Sequence, residues 1–213
     1  MQPNPTSRHT GPGGSAIVAA GPPRVPAVGL DAATESRPPY VRFAIAASFV
    51  AISAALYLFN EWFRSVEAAA GEQSIRLVTD GNTATIWDQA VTLFGLGTPH
   101  AMGLRITAGC SSALLILPLL LLSAGFMLGQ RSTVPRILAG AGTGAAVLVV
   151  TNQLRLCLIA FFSQQWGEEG FGWAHTVVGS LLSLVGVAAS VAALLLIAMR
   201  RQEPRIPANG ASE

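Results

Sequence analysis

Residues 137–162 read ILAGAGTGAAVLVVTNQLRLCLIAFF, an apolar run with a single formal charge, Arg155. A helix needs only ~20 such residues to cross the ~30 Å hydrocarbon core of a bilayer. A lone strand would leave its backbone groups unpaired in lipid, so the run reads as a spanning helix. Working outward, three more apolar stretches of comparable length appear, at about 43–59, 106–128 and 174–199. The third and fourth stretches carry Gly140, Gly142, Gly144, Gly179 and Gly186, small residues of the kind that let helices approach closely inside a bundle. The expected fold is all-α: a polytopic transmembrane bundle of about four spanning helices, occupying residues 41–199.

Composition supports the membrane class. Charged residues make up 11% of the chain, against about a quarter in an ordinary soluble domain. The net charge of +2 is small and dispersed, which argues against a nucleic-acid partner; the bilayer is the expected one. All basic residues are Arg. Cys110 and Cys157 both fall in apolar segments, unlike the disulfide framework of a small secreted domain. Residues 1–40 are rich in Pro, Gly, Ser and Ala, with breakers such as Gly11-Pro12-Gly13-Gly14, and read as a disordered tail. They lack the continuous apolar core of a secretory signal.

Arginine placement sets the expected orientation. Arg37 and Arg42 precede the first apolar stretch, Arg131 and Arg136 sit in the second connection, and Arg200, Arg201 and Arg205 follow the fourth stretch. The third connection holds Glu168 and Glu169 and no basic residue. The positive-inside rule then places both termini, including the tail 200–213, in the cytoplasm of a multi-pass inner-membrane protein. Residues 64–105 and 163–173 fall outside. Within the first of these, Ile86-Trp87, Val91, Leu93-Phe94 and Leu96 have a partly helical apolar spacing. That spacing suggests an interfacial helix or cap across residues 84–104, with a short re-entrant segment as the alternative.

Three unusual polar residues land in the outer half of this topology. Cys110 lies about a turn inside the second stretch, and His175 opens the fourth. Arg155 lies roughly 10 Å below the outer end of the third, at 1.5 Å per residue. Singly, a cysteine in an apolar helix is ordinarily a small buried hydrophobe, and a histidine beside Trp173 is an interfacial residue. A charge within a spanning helix is instead a functional candidate by default, with snorkelling to the interface as the bland reading. Asn152 shares the face of Arg155 three residues away and is a candidate to hold the guanidinium or a substrate amide. Gly179, one turn after His175, leaves room for a neighbouring helix or a peptide. Cys157 points away from the Arg155 face and reads as a packing residue. Ser111 and Ser112 can satisfy their hydroxyls within a helix and receive no chemical role.

Together the residue types suit nucleophilic catalysis. A thiol attacks as thiolate, which a nearby cation favours. A guanidinium can stabilise that thiolate or a tetrahedral oxyanion. An imidazole can deliver a proton to a leaving amine.

The ordered set Thr107-Ala-Gly-Cys110-Ser111-Ser112, Asn152-Gln-Leu-Arg155-Leu156 and His175-Thr-Val-Val-Gly179 resembles the three motifs of the exosortase/archaeosortase family of membrane cysteine peptidases. The resemblance covers roughly residues 106–185. It implies Cys110 as nucleophile, His175 as acid/base and Arg155 as electrostatic partner, with no cofactor or metal. It also implies a substrate class: exported proteins ending in a short motif, a spanning helix and a basic cluster. These are cut at the outer membrane face, with the acyl group passed to an acceptor. Two features depart from the family pattern: Ser112 stands where glycine is common, and four helices are fewer than larger bacterial members have.

The competing reading is a non-catalytic helical-bundle subunit of a transporter or envelope-assembly complex, with Arg155 as a structural or pathway charge. Convergence of Cys110, Arg155 and His175 separates the two, since a packing subunit has no need of it. A thiol–quinone oxidoreductase would require paired, accessible cysteines, which the placement of Cys157 does not offer.

Overall fold

The computed structural model describes residues 39–129 and 132–200; the two expected tails, 1–40 and 200–213, fall almost wholly outside them. The apolar stretches form α1 (Pro39–Leu58), α3 (Ser112–Leu128), the long α4 (Val134–Trp173) and α5 (Gly179–Met199). Between α1 and α3 lie a further helix, α2 (Asn60–Arg76), and three short strands. Tyr40–Leu58 and Val134–Met199 are long and apolar enough to cross a membrane, and Ser112–Leu128 is a shorter apolar helix. Phe43, Val50, Leu181, Leu184 and Leu196 stay exposed, an outward apolar surface that suits lipid rather than water.

α4 and α5 are antiparallel partners, held close by the glycines. A Cβ at Gly140 would lie 3.0 Å from Leu194, one at Gly144 3.0 Å from Ser190 O, and one at Gly186 2.6 Å from Thr151. As the α4 position advances, its α5 neighbour recedes. The reversal falls at Gly167, whose φ of 62° and ψ of −138° break the helix; glycine takes a positive φ without the Cβ clash of other residues. A π-helical turn, Ala174–Val178, then leads into α5. The 163–173 connection expected between the two spans is therefore mostly helical, with its bend at one residue.

Arginines tie the opposite end together. Arg42 donates to Ser132 O at 2.6 Å, and Arg136 donates to Arg200 O. The start of α1, the α3–α4 connection and the α5 terminus thus share one end of the bundle, and Gly167 lies at the other. Between them, Phe49, Leu119, Met127, Ile137, Leu148 and Leu194 form the bundle core.

Residues 84–104 form neither an interfacial helix nor a re-entrant segment. They lie in an antiparallel sheet of order β1-β2-β3, made from β1 (Asn82–Ile86), β2 (Val91–Leu96) and β3 (Met102–Arg105). Pairings include Thr85 with Thr92, and Val91 with Arg105. The β-branched residues Thr83, Thr85, Ile86, Val91 and Thr92 favour strands, and Gly81-Asn82 and Gly97-Thr98-Pro99 are turn signals that outweigh the partial helical spacing. The fold is predominantly helical with this small sheet added.

α2 covers the sheet. Thr92 Oγ1 donates to Ala68 O at 3.0 Å and Thr85 Oγ1 meets Glu72 Oε2 at 2.6 Å. Ile75, Phe94, Leu104 and Ile106 fill the space between α2 and the sheet, and this core runs on into Leu156, Ile159 and Ala160 of α4. Burying each large side chain contributes on the order of 1.5–3 kcal/mol. Gln164 of α4 closes the contact, accepting from Asp80 N at 2.9 Å and donating to Asp80 O at 3.1 Å. This cap fixes β3, and β3 runs directly into the segment that carries Cys110.

Candidate active site

Cys110 is not within a spanning helix. It ends a 3-10 turn, Ala108–Cys110, and α3 begins only at Ser112. The boundary has a local cause: Ser111 is extended and its side chain accepts from Ala113 N, capping α3. Such a cap contributes about 1 kcal/mol. Upstream, Ile106 N is held by Ala90 O at 2.9 Å, so the turn hangs from the sheet.

The Cys110 sulfur is buried and lies 3.3 Å from Nε2 of His175. His175 sits in the π-helical turn, a feature found disproportionately at functional sites. Its ring stacks on Phe171, with centroids 5.4 Å apart and an interplanar angle of 18°. One face of the imidazole is thereby fixed by a side chain one turn earlier.

Arg155 is 7% exposed. One terminal nitrogen donates to Gly109 O and to Ser183 Oγ, each at 3.4 Å, while Nε is buried and unpartnered. Gly179 lies against the guanidinium: a Cβ there would come 2.7 Å from Nε and 3.4 Å from Cζ. Arg155 therefore points into the bundle beside the Cys110 turn, and the snorkelling reading does not describe it. Ser183, one turn after Gly179, was not anticipated from sequence; its hydroxyl also donates to Gly179 O at 2.8 Å. The same face, one turn on, was the available signal.

Asn152 does not hold the guanidinium. Its Nδ2 donates to Cys110 O at 2.9 Å and to Glu67 Oε1 at 3.1 Å, which places it behind the cysteine turn. Glu67 lies among charges of both signs in the 64–105 segment and is not a site candidate by sequence. It is 5% exposed, and Oε1 also accepts from Ser112 N at 2.8 Å. Nothing in the sequence singles Glu67 out; the buried face of α2 that carries it with Ala68, Gly71 and Ile75 shows only in the structure. Cys157 is half-buried and packs against the apolar cluster of Leu156 and Ile159.

The backbone donors around Cys110 are already engaged. Cys110 N bonds Thr107 O at 2.9 Å and Ser111 N bonds Ala108 O at 3.2 Å. Ser112 N goes to Glu67 and Ala113 N to Ser111 Oγ. A backbone oxyanion hole at the start of α3 is thus excluded in this conformation. Arg155, with its unpartnered Nε, is the charged donor left beside the turn.

This constellation spans α2, the 3-10 turn, α4 and the start of α5, and a family model spans the same elements. The transmembrane exosortase (Exosortase_EpsH) model matches residues 39–197. The chain belongs to the transmembrane exosortase family. No curated protein and no solved structure matches it. In this exosortase-family protein the three sequence motifs map onto the 3-10 turn, the middle of α4 and the π-helical turn. The four apolar stretches read from sequence fall in α1, α3 and the α4–α5 hairpin, of which Tyr40–Leu58 and Val134–Met199 are long and apolar enough to cross a membrane.

Proposed function

We propose that this protein is a membrane cysteine peptidase or transpeptidase that cleaves C-terminal sorting signals of exported proteins at the outer face of the inner membrane. The 3.3 Å approach of Cys110 Sγ to His175 Nε2 carries this reading. α1, α3, α4 and α5 are taken as four spans, with both termini cytoplasmic and the α2–sheet cap outside. Clustering of Arg42, Arg136 and Arg200 at one end of the bundle supports that orientation. Residues 41–199 then form the catalytic domain.

In the proposed reaction His175 takes the Cys110 proton, and the thiolate sulfur attacks the scissile carbonyl carbon. The carbonyl π pair moves onto oxygen, and the Arg155 guanidinium donates to that oxyanion. Collapse of the intermediate expels the amine, which takes the proton from His175, leaving an acyl thioester on Cys110. An acceptor amine or water then attacks the thioester, with His175 again accepting the proton, and the thiol is restored. Gly179 serves by leaving the guanidinium space, and Asn152 by holding the Cys110 carbonyl.

The test is processing of an exported reporter ending in a motif, an apolar helix and a basic cluster, followed by gel mobility in cells. Cys110→Ala should abolish processing, and His175→Ala should reduce it ~10²–10⁴-fold. Cys157→Ala should process normally. Full processing by Cys110→Ala, at normal protein levels, would sink the peptidase reading and favour a non-catalytic assembly subunit.

A further inference from the structure

The least expected group in the molecule is a carboxylate buried against the cysteine turn. Glu67 comes from α2, a helix of the cap with no part in the three motifs. Its Oε1 accepts from Ser112 N at 2.8 Å and from Asn152 Nδ2 at 3.1 Å, and the same Asn152 nitrogen donates its other hydrogen to Cys110 O at 2.9 Å. The two groups flanking Ser111 are therefore held side by side, the Ser112 amide by the Glu67 carboxylate and the Cys110 carbonyl by the Asn152 amide that the carboxylate orients. Glu67, Asn152 and Ser112 are each at most 5% exposed. Glu67 Oε2, Asn152 Oδ1 and Ser112 Oγ are buried with no partner.

A buried carboxylate is costly unless its hydrogen bonds repay the desolvation. An apolar side chain at this position of α2 would pack into the same core without that cost. What it would not do is accept two N–H groups. Nor are these bonds needed to start α3, which Ser111 already caps. Their effect is local: they set the direction in which the turn just before α3 presents the Cys110 side chain.

We infer that Glu67 is a positioning residue for the cysteine nucleophile, acting as a hydrogen-bond acceptor that locks the 108–112 turn through Ser112 N and Asn152. The inference rests on the peptidase reading. It adds that the cap, through α2, is part of the catalytic apparatus: the turn is clamped from outside the bundle by Glu67 and from α4 by Asn152. Released from the clamp, the turn would let the sulfur drift from His175, where even a 1 Å misplacement is enough to cost ~10²-fold in rate.

The test compares Glu67→Ala, Glu67→Gln, Asn152→Ala and the Glu67→Ala/Asn152→Ala double variant in purified, detergent-solubilised protein. Cleavage of a peptide substrate is measured as kcat and KM separately, with Cys110→Ala run in parallel. A positioning role lowers kcat at least tenfold in Glu67→Ala and leaves KM within about threefold, because the scissile bond is still bound. Glu67→Gln keeps a carbonyl acceptor and should recover kcat to within a few-fold of the parent. The double variant should be little worse than the worse single one, because the two residues are hydrogen-bonded to each other and hold the same turn. Parental kcat in a folded Glu67→Ala, or additive losses in the double variant, would overturn the inference. So would a Glu67→Gln variant that folds and is as impaired as Glu67→Ala. If Glu67→Ala does not accumulate, the Gln and Asn152→Ala variants decide: loss in the second with retention in the first supports the clamp, and any other pattern overturns it. Activity retained by Cys110→Ala is a separate result, which removes the peptidase reading itself.

Discussion

Gly179→Ala is the sharpest test of how the Arg155 charge is placed. The added methyl would lie 2.7 Å from Arg155 Nε and 3.1 Å from Ala174 O. Contacts that short are not accommodated in place. Ala174 O is backbone within the π-helical turn, so the guanidinium is the side that must yield. Overpacking of this kind costs about 1–3 kcal/mol. Moving Arg155 away from Gly109 O and Ser183 Oγ breaks only two long bonds of 3.4 Å, so the strain is relieved by displacing the charge rather than by unfolding the helix pair. If that displacement is felt in the transition state, 1–3 kcal/mol is a loss of about fivefold to a hundredfold in rate, at 1.36 kcal/mol per decade. The assay is reporter processing normalised to membrane protein level, with thermal melting in detergent as the stability control. The expected result is slow processing by a protein that still accumulates and melts near the parent temperature. Parental processing rates in an equally abundant Gly179→Ala protein would refute the argument that this contact fixes a catalytic guanidinium.

Two further outcomes follow from the same arrangement. Arg155→Lys keeps the charge but loses the planar fork and its spare N–H donors; processing should fall ~10²–10³-fold, as when an oxyanion donor is removed, and near-parental processing would show that charge alone suffices. In a background lacking both native cysteines, Ser132→Cys should be protected from a membrane-impermeant thiol reagent in intact spheroplasts and His100→Cys should be labelled. The reverse pattern would invert the orientation and put the cysteine turn on the cytoplasmic side.

The apolar helices were legible in the sequence because their runs are long and nearly free of charge, and four such runs became α1, α3 and the α4–α5 hairpin. Counting along those runs brings Cys110, Arg155 and His175 to one end of the bundle, where Cys110 lies beside His175 and Arg155 beside the cysteine turn. Counting fails where the chain leaves lipid. Residues 82–105 alternate too weakly to announce strands, and an apolar spacing such as Ile86, Val91, Phe94 suits either a helix or a strand once turns intervene. Cys110 was assigned to a helix because the apolar run continues through it, whereas Ser111 is the helix cap and Thr107-Ala108-Gly109 a turn. Glu67 was invisible for a different reason. Its burial depends on α2 folding onto a sheet that the same reading had missed, and a carboxylate among exposed charges of both signs gives no sign of being the one that is buried.

The engaged backbone around Cys110 explains why the site draws on so many elements. In a thiol site built at an open helix N-terminus, free amide groups supply the oxyanion donors and the nucleophile is placed by its own helix. Here the amides of residues 110–113 are all spent on the turn, on the Ser111 cap and on Glu67. In the proposed reaction, electrostatic stabilisation therefore falls to another helix, as Arg155 of α4, and proton transfer to a third, as His175 ahead of α5. Each of those side chains is then set by packing: Arg155 by Gly179 and Ser183, His175 by Phe171. In such a site the rate depends on contacts that lie outside the three motif side chains. Substitutions at Glu67 and Gly179 should therefore impair catalysis at little cost in membrane insertion, because Glu67 lies outside the apolar runs that insertion reads and alanine at position 179 leaves its run apolar.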